Sequence, residues 1–377
     1  AVGNTALRSN ISWASNTANW NSALYSNTNG NNNTAVWNSA MYSNTIGTNN
    51  ATYWHQSLFF NTTWNNNIAN WGLALYSNTT WNNNTVIGYS AWMTSTGVDD
   101  IVAIWSYALQ NNIESFNLAI WSRSLQYNTI GQSNVAVWQQ SLMSNTGWSW
   151  NTAVWPWSME ANTTGFSNTA FGISSLWSNT TGFSNTANGW WALFNNLVGF
   201  ENVAIWLDSL FYNQSWIQNV ANGIQSLYSN IDGDNNTAIG YQSLYLSTWA
   251  NNLTTIGYQS LYSNTTGENN TAVWFQSLWN NTAWSENTAL GNNTLYSNIT
   301  GENNTAIGAN TDVASSVGSN QLNISNSIFG IGLNGSVAFP AGSIGINDTT
   351  PSYTLDVNGT FRNTGNATIG WALGVTW

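Results

Sequence analysis

The chain has 377 residues and a formal charge of −11, yet charged residues make up only 5% of it. Its only basic residues are Arg8, Arg123 and Arg362, so it cannot neutralise a run of phosphates, and this excludes nucleic-acid binding. The absence of cysteine excludes a disulfide framework and a thiolate metal site. No apolar run reaches the roughly 18 residues of a membrane helix.

A repeat is already under way in the opening phrase "AVGNTAL", which carries neither a starting Met nor a signal peptide. We therefore expect the chain to be a fragment of a longer protein, open at both ends. We call the residue that follows each "TAI"- or "TAV"-like phrase the anchor. The 19 anchors lie at 3, 20, 37, 54, 71, 88, 105, 121, 138, 155, 172, 189, 206, 223, 240, 257, 274, 291 and 308. A 17-residue step separates all neighbouring anchors except 105 and 121, where the step is one shorter, and this predicts one repeat domain over residues 1–308.

Each position of the repeat has its own chemistry. The residue two before the anchor is Ala in 16 of 19 copies, and the residue three after it is Ala or Ser in nearly all. The residue four after the anchor is Leu or Met in 17 of the first 18 copies, Trp92 being the exception. We expect this column to form a continuous apolar spine, represented by Leu227, Leu244, Leu261, Leu278 and Leu295.

This pattern predicts the fold class: an all-β, parallel β-solenoid with one coil per repeat. Short runs of small and β-branched residues between Asn-Thr-Gly turns are typical of strands, and the repeat is too short for two packed helices. We expect two short strands and two tight corners per coil. Coils stacked at about 4.8 Å would form a rod roughly 85 Å long, in which Asn and Thr columns form hydrogen-bonded ladders.

The anchor itself is Gly in nine copies and Trp in ten. The turn position ten residues later is Gly in ten copies and Trp in six. A site that takes glycine because no Cβ fits cannot also accept an indole. We therefore hypothesise that the gene uses UGA for glycine and was translated with UGA as tryptophan. The structural anchors are then Gly88, Gly172, Gly189, Gly223, Gly240, Gly257, Gly291 and Gly308, and the suspected recoded glycines are Trp20, Trp37, Trp54, Trp71, Trp105, Trp121, Trp138, Trp155, Trp206 and Trp274.

Two alternatives stay open at this point. If the tryptophans are real, stacked indoles on one face of the rod predict a polysaccharide-binding solenoid. Regular Thr columns on a flat solenoid can also order water, which predicts ice binding, although we expect the threonines to cluster at corners.

"NTAIG" at 236–240 and "TTGENNTAVW" at 265–274 resemble the head repeats of trimeric autotransporter adhesins. Ala238, Ile239 and Gly240 match that family's "AIG" phrase, and Gly267, Glu268 and Asn269 match its "GEN" phrase. The resemblance covers about residues 1–308 and implies a left-handed β-roll with three chains side by side. The coil here is longer by three residues, which leaves the cross-section open.

Residues 309–377 form the second predicted unit, a β-rich stem or connector. Its segment 342–370, "GSIGINDTTPSYTLDVNGTFRNTGNATIG", resembles a segment of phage tail fibres and related surface fibres. In those proteins the segment often precedes a chaperone domain that trimerises the fibre.

Little in the sequence indicates catalysis, which requires converging titratable groups. His55 is the only histidine and lies at a variable position; Asp99 and Asp100 have no evident partner. Asp232 and Asp234 lack the glutamate of a calcium loop. Asn-x-Ser/Thr sequons such as the one at Asn264 also follow from the turn chemistry.

We expect a non-enzymatic fibre shaft or adhesin without metal or cofactor, located outside the cell, on a cell surface or on a virion. Its expected partners are two further copies and an unknown cell-surface receptor or glycan.

Overall fold

The structure is a computed structural model that describes residues 1–12, 15–79, 82–93, 99–215, 217–334 and 342–360. These residues form an all-β parallel β-solenoid of about 18 turns with 17-residue spacing, and no helix occurs among them. The predicted fold class is therefore confirmed. The handedness of the roll and the trimer remain predictions.

One short strand per coil builds a single long sheet. The strands of the coils are β1 Thr17–Ala18, β2 Thr34–Ala35, β3 Ala51–Thr52, β4 Ile68–Asn70, β5 Thr85–Ile87, β6 Val102–Ile104, β7 Leu118–Ile120, β8 Val135–Ala136, β9 Thr152–Ala153, β10 Thr169–Ala170, β11 Thr186–Asn188, β12 Val203–Ile205, β13 Val220–Asn222, β14 Thr237–Ile239, β15 Thr254–Ile256, β16 Thr271–Val273, β17 Thr288–Leu290 and β18 Thr305–Ile307. Each strand pairs in parallel with the strand of the next coil.

The register of this sheet follows the repeat. Ala187 pairs with Ala204 and Ala204 with Ala221, so each strand residue pairs with its equivalent in the next coil. The single shorter step appears as the pairing of Val102 with Leu118. One further strand, β19 (Leu322–Ile324), continues the parallel ladder, because Thr305 pairs with Leu322 although the "TAIG" phrase ends at Gly308.

The expectation of two strands per coil is wrong for the described residues. The side opposite the sheet is held by single hydrogen bonds between coils, such as Ser26 N–H to Tyr42 O at 3.0 Å and Thr28 N–H to Thr45 O at 2.8 Å. The chain turns there through left-handed backbone at the second, fourth and twelfth residues after most anchors, for example Gln225, Leu227 and Asn235 with φ of 56°, 51° and 57°. Left-handed residues interrupt extended backbone, so a second regular strand does not form.

The core is narrow and lies between the sheet and this turn side. The residue two before the anchor, Ala in most strands, points inward, since side chains alternate along a strand, and Ala204 and Ala221 are fully buried. The structure places the whole predicted spine, Leu227, Leu244, Leu261, Leu278 and Leu295, at 0% exposure. Trp92 takes the same slot and donates its Nε1–H to Asn112 O at 2.9 Å.

Two columns of buried asparagines flank the apolar core. In the first Asn ladder, seven residues after the anchor, Asn179 Nδ2 donates to Asn162 Oδ1 at 2.7 Å and Asn196 Nδ2 donates to Asn179 Oδ1 at 2.8 Å. In the second Asn ladder, thirteen residues after the anchor, the backbone N–H of Asn185 donates to Asn168 Oδ1 at 3.0 Å. The prediction that Asn columns form hydrogen-bonded ladders is confirmed for both columns.

The described part of the C-terminal unit reverses the chain direction. Strand β20 (Ile328–Ile331) pairs antiparallel with β19, and β21 (Ser343–Ile346) pairs antiparallel with β20. Strand β22 (Leu355–Val357) then pairs in parallel with β21. Residues 361–377, which include Arg362 and the end of the segment that resembles tail fibres, lie outside the described residues.

Candidate functional site

The anchor column lies where neighbouring coils approach most closely. A Cβ built on Gly88 would lie 2.6 Å from Trp105 O and 2.8 Å from Trp105 Cα, distances that real Cβ atoms do not adopt. Gly88 also has a φ of 146°, a conformation that residues with a side chain rarely adopt. At Gly88 the anchor position therefore has no room for a Cβ.

Tryptophan at an anchor changes the local backbone. Trp20, Trp71, Trp105, Trp121, Trp206 and Trp274 have φ between 81° and 95°, outside the allowed regions for residues with a Cβ. The other four anchor tryptophans, Trp37, Trp54, Trp138 and Trp155, are not in this region. Each of them follows a strand of two residues instead of three, as Trp20 also does. Gly172 also follows a two-residue strand, so the shortening spreads to a neighbouring coil.

The turn column, ten residues after the anchor, excludes a Cβ for a different reason. A Cβ on Gly131 would lie 2.5 Å from Asn128 Oδ1 of its own coil and 2.6 Å from Trp148 O of the next. The carbonyl of Gly131 accepts Nδ2 hydrogen bonds from Asn128 at 2.9 Å and Asn117 at 2.8 Å. Both Asn ladders therefore converge on the backbone of the turn residue.

This contact couples the turn residue to the asparagine three positions earlier. Nine of the ten coils with Gly in the turn column carry that Asn, and so do all six coils with Trp. Two full-length coils have another residue there, Ala250 or Val98, and these coils carry Ser247 and Ser95 in place of the Asn. Residues 95 and 98 lie outside the described residues; at the other coil, Ala250 and Ser247 are both fully buried. In this coupling the tryptophan coils behave as glycine coils.

The anchor indoles stack on one another where they are consecutive. Trp20, Trp37, Trp54 and Trp71 form one stack with centroids 5.0–5.2 Å apart and interplanar angles of 1–3°. Trp105, Trp121, Trp138 and Trp155 form a second stack. The inner ring faces are covered by neighbouring indoles, so only ring edges point outward, whereas sugar binding uses ring faces.

A glycine anchor next to a tryptophan leaves an open apolar slot. The slot at Gly88 has a volume of about 320 Å³ and lies between Trp71 and Trp105. Similar slots of about 430 Å³ and 460 Å³ lie at Gly189 and Gly257. The walls of these slots also include the residue before the anchor, which is the last residue of the strand. The slots therefore open at the edge of the sheet.

The outer face of the sheet carries one Thr column and one aliphatic column. Ile239, Ile256, Val273, Leu290, Ile307 and Ile324 are aligned by strand pairing. Ile256 and Ile307 are 41% and 38% exposed. Thr237, Thr254, Thr271, Thr288 and Thr305 form the parallel column on the same face. The expectation that threonines cluster at corners is therefore incomplete, and each strand Thr has an aliphatic neighbour rather than a second Thr on this face.

A separate surface carries aromatic and amide columns. The aromatic ladder, five residues after the anchor, consists of Trp177, Phe194, Phe211, Tyr228, Tyr245, Tyr262, Trp279 and Tyr296, with adjacent centroids 5.1–5.7 Å apart. The glutamine ladder, two residues after the anchor, consists of Gln225, Gln242, Gln259 and Gln276. The Nε2 of each of the last three donates to the Oε1 of the preceding glutamine at 2.9 Å. At its lower end Gln225 donates to Asp208 Oδ2, and partial burial raises the pKa of Asp208 while this hydrogen bond lowers it.

The titratable residues singled out from the sequence are dispersed. His55 is exposed and its Nδ1 lies 3.2 Å from Asn38 O. Asp99 Oδ1 accepts the N–H of Asn82, and Asp234 Oδ1 accepts the N–H of Ile217. Within the described ranges no three His, Cys, Asp or Glu side chains are grouped so that they could hold a metal ion.

The sequon at Asn264 belongs to the first Asn ladder. Asn264 is fully buried and its Nδ2 donates to Gly267 O at 2.9 Å. In the folded roll this nitrogen is therefore out of reach of a glycosylating enzyme.

No protein-family model matches the chain, and no curated protein or solved structure is significantly similar to it. In the part of the chain that the structure describes, no helix has the length and apolarity needed to span a bilayer.

Proposed function

We propose that this protein is the shaft of an extracellular, non-enzymatic fibre that attaches a cell or a virion to a host or neighbouring cell. The observation that carries the proposal is the unbroken parallel ladder from β1 to β19, which makes the molecule a rod. A rod spans distance and repeats the same surface along its length. These are the properties of an adhesive fibre.

Three copies side by side complete the proposed shaft. The aliphatic column from Ile239 to Ile324 lies on an exposed sheet face, and contiguous exposed apolar surface of this kind marks an interface. The resemblance to adhesin head repeats supports three chains side by side, and the exposed aliphatic column is the face that such chains would bury against one another. The slots at Gly88, Gly189 and Gly257 lie at the edge of the same face and offer space for side chains of a neighbouring copy.

The proposal includes glycine at most of the tryptophan positions. Three observations support this interpretation: the φ values of the six strained anchors, the missing space for a Cβ at Gly88 and Gly131, and the Asn retained before every turn-column Trp. With glycine at all anchors, the separate slots join into one groove along the sheet.

Polysaccharide binding by the indoles is the weaker candidate. The two stacks cover the inner ring faces of eight anchor indoles. The two exposed anchor indoles outside them, Trp206 and Trp274, stand four coils apart and form no continuous platform for a sugar chain. Ice binding is weaker too, because the strand threonines stand beside aliphatic side chains and form no two-dimensional Thr array.

Two measurements test the proposal. Light scattering coupled to size-exclusion chromatography is expected to give three times the chain mass, and a monomer or dimer of the intact rod would overturn the trimer. Peptide mass spectrometry of the protein from its native source, across residues 257–308, is expected to find Gly at 274 and 284. Tryptophan at both positions would refute the recoding.

A further inference from the structure

The aromatic ladder and the glutamine ladder run side by side along the rod. Asp208, at the foot of the glutamine ladder, interacts electrostatically with both Tyr228 and Tyr245. At the upper end, Gln276 and Tyr296 line one open cavity of about 360 Å³ together with Asn293, Asn310 and Asp312. The two ladders are therefore the walls of one shallow groove. Between Phe211 and Tyr262 neither wall contains a tryptophan at these two positions of the repeat, so this part of the groove does not depend on the recoding.

The three coils with anchors at 223, 240 and 257 contribute the same polar groups to this groove, one glutamine and one tyrosine each. Gln242 donates one Nε2 hydrogen to Gln225 and accepts one hydrogen from Gln259. An amide has two hydrogens and two lone pairs, so each inner glutamine keeps one donor and one acceptor for a ligand. Tyr245 and Tyr262 add a phenol per coil on the opposite wall. Burial, together with a hydrogen bond to Tyr212, raises the pKa of Tyr228 to about 12, so this phenol stays neutral.

We propose that this groove binds a neutral, extended polysaccharide that lies along the rod with about one sugar per coil. The inference rests on the proposed adhesive function and names the class of receptor. A surface that repeats a donor and an acceptor at every coil fits a ligand that repeats hydroxyl groups at a similar spacing. In an extended β-linked hexose chain each sugar advances the chain by about the length of one ring. This length is similar to the ~4.8 Å rise of a coil.

The charges of the protein favour a neutral glycan. The groove contains Asp208 and Asp312 but no cation, and the whole chain has three arginines against fourteen acidic residues. A sulfated or uronic-acid polymer would be repelled.

A second copy of this chain fits the groove less well than a glycan. Association between copies is favoured by apolar area, and the aliphatic column of the sheet supplies that area elsewhere. The ring faces in the aromatic ladder are covered by each other, so the groove offers ring edges, hydroxyls and amides. A polyhydroxyl ligand satisfies such groups, whereas a largely apolar surface leaves them unpaired.

The test uses the full chain and isothermal titration calorimetry with cello-, chito- and β-manno-oligosaccharides of increasing length. We expect affinity to rise with length, because each added sugar reaches another coil. The pair Tyr245→Phe with Tyr262→Phe keeps the ring stack and removes two hydroxyls. It is expected to weaken binding about tenfold, because each lost hydroxyl removes one hydrogen bond to the sugar chain. Gln242→Ala with Gln259→Ala is expected to have a similar effect.

Tyr42→Phe is the matched control. Tyr42 also stacks five residues after its anchor, but the residue two after that anchor is Ser39 and no glutamine ladder accompanies it. Its affinity is expected to match the parent. The inference is overturned if no oligosaccharide binds, if the Tyr pair binds as tightly as the parent, or if the Gln pair lowers the oligomeric mass. The last result would assign the groove to a second copy. Absence of glycan binding by an intact trimer would leave the proposed fibre standing.

Discussion

Ser247→Asn combined with Ala250→Gly probes the coupling between a buried asparagine and a Cβ-free turn residue. The first Asn ladder is interrupted at Ser247, and both Ser247 Oγ and Asn230 Oδ1 are buried without a hydrogen-bond partner. In the intact coil below, Asn230 Nδ2 donates to Asn213 Oδ1 at 3.1 Å and to Gly233 O at 2.9 Å. An asparagine at 247 would restore both kinds of bond.

Each substitution alone is expected to destabilise the roll. A Cβ on Gly233 would lie 2.5 Å from Asn230 Oδ1, and the Cβ of Ala250 stands in the same relation to an asparagine at 247. Ser247→Asn alone should therefore cost about 1–3 kcal/mol as overpacking. Ala250→Gly alone loses a buried methyl group, about 0.8 kcal/mol, and adds the conformational entropy of glycine, about 0.5–1 kcal/mol.

The double variant is expected to be at least as stable as the parent. It regains the hydrogen bonds of the ladder, each contributing about 0.5–1.5 kcal/mol net, and satisfies the orphan oxygen of Asn230. The coupling free energy should therefore be at least about 2 kcal/mol, the sum of the two smallest single costs, which is in the upper range for residues in contact.

Urea unfolding followed by circular dichroism on the parent, both single variants and the double variant measures this cycle. The mirror cycle, Asn162→Ser with Gly165→Ala in an intact coil, is the control and should show coupling of the same sign. Additivity within about 0.5 kcal/mol in both cycles would refute the reasoning.

Three further outcomes follow from the same structure. Trp274→Gly is expected to stabilise the roll by about 1 kcal/mol, because it relieves a φ of 94° at a side chain that is 66% exposed. Trp37→Gly should destabilise the roll by about 1 kcal/mol, since the indole of Trp37 stacks on two neighbours at 5.2 Å. The opposite order of urea midpoints would contradict this. Asn179→Asp should lower the free energy of unfolding by about 3 kcal/mol or more at pH 7, because a buried carboxylate replaces the donor to Asn162 Oδ1. A loss of stability no larger at pH 7 than at pH 4 would count against this reasoning. Tyr228 has a raised pKa of about 12 through burial and Tyr212, against about 10 when unfolded, so stability should fall as pH rises from about 10 to about 12, and Tyr228→Phe should reduce that fall.

The period, the apolar spine and the buried Asn columns were accessible to sequence reasoning because each depends on one residue type recurring at one position. Leu227 and Leu244 recur at the same position of neighbouring coils and lie in the core as expected. Parallel stacking of identical coils brings identical side chains together, so a column in the sequence becomes a column in space.

The second strand could not be excluded from the sequence, because the residues that break it are not turn residues. Leu227 and Leu244 adopt φ of 51° and 58°, although leucine has no intrinsic preference for left-handed backbone. Their conformation is imposed by the core: the turn must point the leucine inward while its neighbours satisfy bonds to the next coil. The coupling between the turn residue and the first Asn ladder is visible in the sequence, because Ser247 and Ala250 depart from the repeat together. Its cause becomes clear only from the structure, in which a Cβ at the turn position would collide with the Asn side chain.

The energetics of one coil explain why the tryptophans matter so much to this fold. Several side-chain-bearing residues per coil occupy left-handed backbone, each costing roughly 1–2 kcal/mol, so a coil is stable only when its ladders to both neighbours are intact. A solenoid with such nearest-neighbour dependence is weakened locally by every defect. Six anchors with φ between 81° and 95° add strain comparable with the whole stability of an ordinary domain, about 5–15 kcal/mol. Glycine at those anchors would keep the leucine spine and both Asn ladders and remove that strain, but at Trp20, Trp71, Trp105 and Trp121 it would also remove indole stacking. Glycine is therefore expected to stabilise the fold most at Trp206 and Trp274, which belong to neither stack.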